Sequence, residues 1–472
     1  MYHSQTKQQR TLLRPWRSLA LGGLILTSLA TPSYAAGPAR MVKDIARGPN
    51  GSLTGYVATL NDIVYFTAHD GVHGSELWRS DGTQAGTYLV RDINPGTESS
   101  NPAELTVFNG ALYFAAYEAE HGFELWRTDG TTAGTQLVRD TIPGPEGAGA
   151  SSMTVVNQQL YFRAYDRTYG FELWRTDGTA AGTQIVHDIQ PGVNGSGIGE
   201  LAAVGSTLYF TADDGTHGVE LWRTDGTAAG TQLVRDIRPG SDFSLPVSLT
   251  PFNGELYFSA YDDTHGRELW RTDGTAAGTQ LVRDINPGPT DMGHQSLTVF
   301  NGALYFDADD GVHGRELWRS DGTAAGTAMV LDIYPDAYGP APIDLTVFNG
   351  ALYFDADDGV HGRELWRSDG TAAGTAMVRD IHPGANSSYA YQLTVVDQQL
   401  FFVADDGAHG SELWRSDGTA AGTQLVQDIQ PGTGGSNPNS LTLTGSKLFF
   451  GADNGRAGNE LWQMPRSSSR TR

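Results

Sequence analysis

The sequence predicts an all-β chain folded as a single closed β-propeller of nine four-stranded blades. Three observations carry that expectation. The tripeptide Glu-Leu-Trp recurs nine times, starting at Glu76, Glu124, Glu172, Glu220, Glu268, Glu316, Glu364, Glu412 and Glu460, always 48 residues apart. A period of that length marks a repeat architecture. Each unit holds four short apolar runs divided by turn residues, the pattern of a propeller blade. The two ends of the chain are each incomplete, and together they make one more blade.

Taken in order, residues 1–35 differ from everything after them. Lys7, Arg10, Arg14 and Arg17 precede an apolar run from Leu19 to Ala30, and Ser33-Tyr34-Ala35 offers small residues for cleavage. This is the pattern of a bacterial secretory signal peptide, with an apolar core too short to span a bilayer. Export to the periplasm or the extracellular space follows. The propeller is expected over residues 36–463. It opens at Arg40 to Ile45, which reads as a fourth strand without the preceding three.

The unit at Leu297 shows the full set. LTVF is the first strand, broken by Asn301-Gly302, a strong hairpin signal. ALYFDA is the second, with Leu304 and Phe306 alternating against Tyr305. A loop of type DDGVHG leads to the third strand, ELWRS, and the turn DGTAAGT leads to the fourth, AMVLDI. No segment carries a helical period. The last unit stops after Glu460-Leu461-Trp462, a third strand lacking its fourth, so the N-terminal strand is expected to seal the ring and leave no open edge. Residues 464–472 read as a disordered basic tail.

Composition excludes several function classes. The formal charge is −23, and removing the four leader cations takes it to −27. Such a chain repels nucleic acid and anionic lipid. The absence of cysteine excludes disulfides, thiolate metal sites, cysteine nucleophiles and a lipoprotein anchor. No insertion membrane-ward follows once the leader is removed, and the ring is expected to be monomeric.

The repeated Glu-Leu-Trp-x-x-Asp-Gly-Thr resembles the bacterial ELWxxDGT repeat family, from about Met41 to Trp462. That resemblance implies a secreted repeat protein and a propeller. It implies no shared activity.

Candidate sites come from position and from departures. In an up-and-down blade the second turn and the connection between blades share one face, and the connections vary, so the working face is placed there. The histidines at His73, His121, His217, His265, His313, His361 and His409 recur too regularly for a catalytic group and are read as structural. Asp307, Asp309, Asp310, Asp355, Asp357 and Asp358 cluster beside glycine turns in units six and seven, the kind of oxygen ligands a Ca²⁺ ion takes. Units two and three bring Tyr117, Phe123, Tyr165, Tyr169 and Phe171, with Arg163, into what reads as one aromatic patch suited to sugar faces. No residue stands out as catalytic. The function expected is therefore binding or adhesion to a glycan or protein of the cell surface or matrix, through loops on one face. The alternatives are an extracellular polysaccharide hydrolase or lyase with acidic residues in the channel, and a self-assembling surface protein.

Overall fold

The computed structural model describes residues 37–465 except 292, 294, 295, 336 and 338. The expected leader, and the tail beyond Pro465, lie outside the described residues. Those described form nine four-stranded antiparallel sheets arranged as a nine-bladed propeller, with no helix among them. Blade 1 runs through Leu53–Leu60, Ile63–His69, Ser75–Ser80 and Tyr88–Arg91. Blades 2 to 8 repeat it. Blade 9 takes Asn439–Thr444, Lys447–Asp453 and Asn459–Pro465 from the end of the chain and Arg40–Met41 from its beginning. Met41 lies opposite Trp462, and Val42 N–H donates to the Leu461 carbonyl at 2.8 Å. The last strand runs past the expected boundary at residue 463, because Met464 is buried opposite Leu448.

First strands of most neighbouring blades touch one another, blade 9 against blade 1 included, so they line the axis. The Asn-Gly hairpins form as read: Asn109 and Gly110 both have positive φ, 47° and 73°, the geometry of a type I′ turn. The second strands differ from the expected alternation. Leu304, Tyr305 and Phe306 are all buried, because each sheet is packed on both faces by its neighbours.

The core is therefore a set of blade boundaries. One cluster joins Tyr65, Leu77, Val90 and Ile93 of blade 1 to Leu112, Phe114 and Trp126 of blade 2. Removing an indole of that kind costs about 3–5 kcal/mol. Across this boundary the last strand of one blade clamps the next. Arg91 lies 5.4 Å from the Trp126 ring and its Nη1 donates to the Thr135 carbonyl at 2.6 Å. Arg235 does the same for Trp270 and Thr279, and Arg379 for Trp414 and Thr423.

The motif's glutamate and its DGT turn have local tasks. Glu76 is fully buried and accepts from Ile93 N (3.0 Å), Ser100 N (2.9 Å) and Ser100 Oγ (2.6 Å). It thereby pins the connection leaving its own blade. In the turn, Asp81 Oδ1 accepts from Thr83 N and Thr83 Oγ1 at 2.8 and 2.7 Å, and Gly86 N donates to Thr83 Oγ1 at 2.9 Å. A Cβ on Gly86 would sit 2.1 Å from Asp81 Oδ1, so only glycine fits.

Candidate functional site

The residues that repeat are engaged in holding the ring. Seven of the second turns carry a His–carboxylate pair, as His73 Nδ1 with Asp70 Oδ2 at 2.8 Å or His121 Nδ1 with Glu118 Oε2 at 2.7 Å. The same Asp70 accepts the backbone N–H groups of Val72 and His73 at 2.9 Å. Burial pushes Asp70 up, and the hydrogen bonds from His73 and Val72 more than reverse it, leaving it below its ordinary value. The hydrogen bond to Asp70 in turn raises His73. These pairs close their own turns, the structural role read from the sequence.

What changes from blade to blade is a face made by two positions of the second strand and one of the third, running from buried to exposed. In blade 1 these are Thr67, His69 and Ser75. The cross-strand register sets the third opposite the second. The set becomes Ala115, Tyr117 and Phe123 in blade 2, and Arg163, Tyr165 and Phe171 in blade 3. It becomes Ser259, Tyr261 and Arg267 in blade 5, and Asp307, Asp309 and Arg315 in blade 6. Blade 7 repeats blade 6 with Asp355, Asp357 and Arg363. The face lies against the connections: Thr67 Oγ1 donates to the Pro102 carbonyl at 2.9 Å, and Arg363 Nη2 to the Ala341 carbonyl at 3.0 Å.

In blades 6 and 7 the carboxylates read as candidate Ca²⁺ ligands meet partners within the protein. Asp307 is buried in an ion pair with Arg315, and Asp355 lies 3.0 Å from Arg363 Nε. Burial pushes both carboxyls up, Asp355 to about 7, against the pull of the guanidinium. Asp309 and Asp357 each accept the N–H of a turn glycine, Gly311 and Gly359, at 2.7 Å. Asp310 and Asp358 are taken by His313 and His361, at 2.8 and 2.7 Å. The six carboxylates thus have separate partners, and among the described residues no group of three or more potential ligands could hold a metal ion. The arginine eight residues after each buried aspartate was the sequence signal for this pairing.

Blades 2 and 3 do bring the aromatic residues together, as two cross-strand pairs. Tyr117 and Phe123 have ring centroids 5.4 Å apart, and Tyr165 and Phe171 5.1 Å. Both pairs flank one connection. Phe123 bridges to Gly147 and its carbonyl accepts from Gly149 N at 2.9 Å, while a Cβ on Gly149 would come within 4.0 Å of the Phe171 ring. Tyr169 stands apart in the turn, its N–H directed to Asp166 Oδ1 at 3.3 Å. Arg163 lies with its guanidinium 4.0 Å from the Phe171 centroid, and its Nε is buried without a hydrogen-bond partner. Burial holds it below its ordinary value. Arg315 and Arg363, a few blades on, each face an aspartate. Arg163 has no carboxylate within ion-pair distance among the described residues.

No family model matches the chain, and no curated protein matches it. Solved structures similar to it include puromycin hydrolase, at 12% identity over 78% of this chain and 62% of that one, TM-score 0.37. A study of two prolyl endopeptidases gives 11% identity, 85% and 54% coverage and a TM-score of 0.43. Sqt1 of Saccharomyces cerevisiae gives 12%, 92% and 99%, TM-score 0.38. The chain thus spans 62% of the hydrolase and 54% of the endopeptidase it matches. At these values the likeness concerns the fold alone. The expectation of a surface adhesion module for a glycan or protein, acting through loops on one face, is corrected by the geometry: the face that varies from blade to blade is built on strands, not on turn tips. Two acids by the channel accept from the next blade's first strand: Glu200, just before the first strand of blade 4, from Leu249 N at 3.1 Å, and Asp344, on the first strand of blade 7, from Gln392 N at 3.1 Å.

Proposed function

We propose that this propeller is a peptide receptor, a rigid ring that takes a short peptide on the strand-borne faces of blades 2 and 3. One observation carries the reading. Arg163 presents a half-buried guanidinium, set over the Phe171 ring and lacking an anionic partner among the described residues, in a chain of net charge −23. Buried donors are rarely left unfilled, and an arginine set over an aromatic ring is a ready receptor for a planar anion. Tyr117 and Tyr165, each paired with a phenylalanine, supply apolar walls on either side of the Gly147–Ala150 connection. The motif residues support the reading indirectly, since the glutamates, DGT turns and histidines are already engaged in the scaffold.

The test is a peptide array probed with the whole chain and with a Tyr117→Ala, Tyr165→Ala, Arg163→Gln variant of matched thermal stability. Selective binding by the first and not the second is expected. Equal binding by both, or none by the wild-type chain, sinks the proposal.

A further inference from the structure

The chemistry of Arg163 narrows the ligand. Its planar fork matches one carboxylate or one phosphate face. A multiply charged anion must approach against the field of a strongly acidic chain. The surfaces beside the guanidinium are the rings of Phe171 and Tyr165, and Phe123 is 37% exposed across the connection. They favour an apolar group attached close to the charge. Resting on the peptide-receptor reading, we infer that the blade-3 face binds a monoanionic carboxylate carried next to an aromatic group, the chemistry of a peptide C-terminus ending in an aromatic residue.

Calorimetric titration of the whole chain tests this with N-acetyl-Gly-Phe as the free acid and as the C-terminal amide. 3-Phenylpropionate separates a peptide end from a free acid, and inorganic phosphate serves as the competing anion. The acid is expected to bind about tenfold or more tighter than the amide, as a charge-assisted bidentate contact requires. Arg163→Gln should abolish that gap, Arg163→Lys should restore part of it, and Phe171→Leu should weaken acid and amide alike. Thermal unfolding midpoints equal to wild type establish that each variant is folded. Tighter binding of the peptide acid than of phenylpropionate assigns the site to a peptide end, and equal binding assigns it to free aromatic acids; both support the carboxylate. Acid and amide binding equally, with both lost in Phe171→Leu, overturns the carboxylate and leaves the receptor reading standing. Phosphate binding more tightly than the acid also overturns it. Binding of neither acid nor amide overturns both.

Discussion

Glu124 shows what a single side chain contributes to this ring. Like its counterparts it is fully buried and pins a connection, through Thr141 N, Ile142 N and Ala148 N, each at 3.2 Å. Six of the other glutamates also receive a serine hydroxyl, as Glu220 does from Ser244 at 2.5 Å. Blade 2 has Ala148 at that position, and Glu124 Oε2 is left buried without a partner. Ala148→Ser should fill the gap and stabilise the protein by about 1 kcal/mol, read as a raised Tm; an unchanged or lowered Tm would show that the cavity cannot take the hydroxyl. The same burial has a pH signature. It pushes Glu268 up to about 8 and Glu76, Glu124 and Glu220 to about 7. A carboxyl whose folded value lies above its unfolded one favours the fold most below about pH 4.5 and loses that contribution as pH rises through the folded value. The raised histidines act in the same direction around neutrality. The lowered Asp70 and Asp214 act oppositely, losing their contribution as pH falls below about 4. Stability should therefore peak near pH 5, with Tm lower at pH 9 by on the order of 5 °C. Glu268→Gln should flatten part of that slope, and a pH-independent Tm would refute the assignment.

At the scale of a strand, the clamp between blades is present at some boundaries and missing at others. Lys43, Arg91, Arg139, Arg235, Arg283 and Arg379 reach the next blade's Thr carbonyl. Leu331 stands at the equivalent place between blades 6 and 7. Leu331→Arg should stack on Trp366 and donate to the Thr375 carbonyl, adding about 1 kcal/mol, while Arg91→Ala should remove about as much. Denaturant midpoints measure both, and no change in either would make the clamps ornamental. The strands themselves were legible in the sequence, because Asn-Gly, DDGxHG and DGTxAGT punctuate them and Glu-Leu-Trp fixes the third. What was hidden depends on register. Tyr165 faces Phe171, Arg163 reaches the same ring diagonally, and Asp307 meets Arg315 only because a tight second turn folds residues eight apart onto one face. Spacing alone brought out the carboxylates; their protein partners depend on the pairing. The first strands also carry a bulge with positive φ at Glu104, Ser152, Ser248 and Asp344. No glycine announces it, so propensity gave no warning.

For the whole molecule, the constant 48-residue interval and the two partial ends were enough to count nine blades and place the seam, since only a closed ring uses a lone fourth strand and a missing one together. The seam is where cooperativity is most exposed. Val42 and Ile45 bury beside Leu461, Phe449 and Trp78, joining blade 9 to blade 1. Glu460 accepts from Ile45 N at 3.3 Å and from Ser52 Oγ at 2.5 Å, so its staple holds residues from both ends of the chain. Each buried aliphatic side chain there contributes about 1.5–3 kcal/mol. A chain beginning at Arg47 loses the outer strand of blade 9, the Val42 and Ile45 contacts and part of the Glu460 staple, while leaving the third strand of that blade as an open edge. Open edges recruit other chains. The truncated protein should unfold at least several degrees below the full chain and sediment as larger species, and a synthetic peptide of residues 37–47 added in trans should reverse both. Closure at this seam would be unnecessary to the ring if the truncated chain kept the full-length Tm and sedimentation coefficient. Rescue by the peptide would place the loss at the seam itself, since a peptide cannot repair damage elsewhere in the other eight blades.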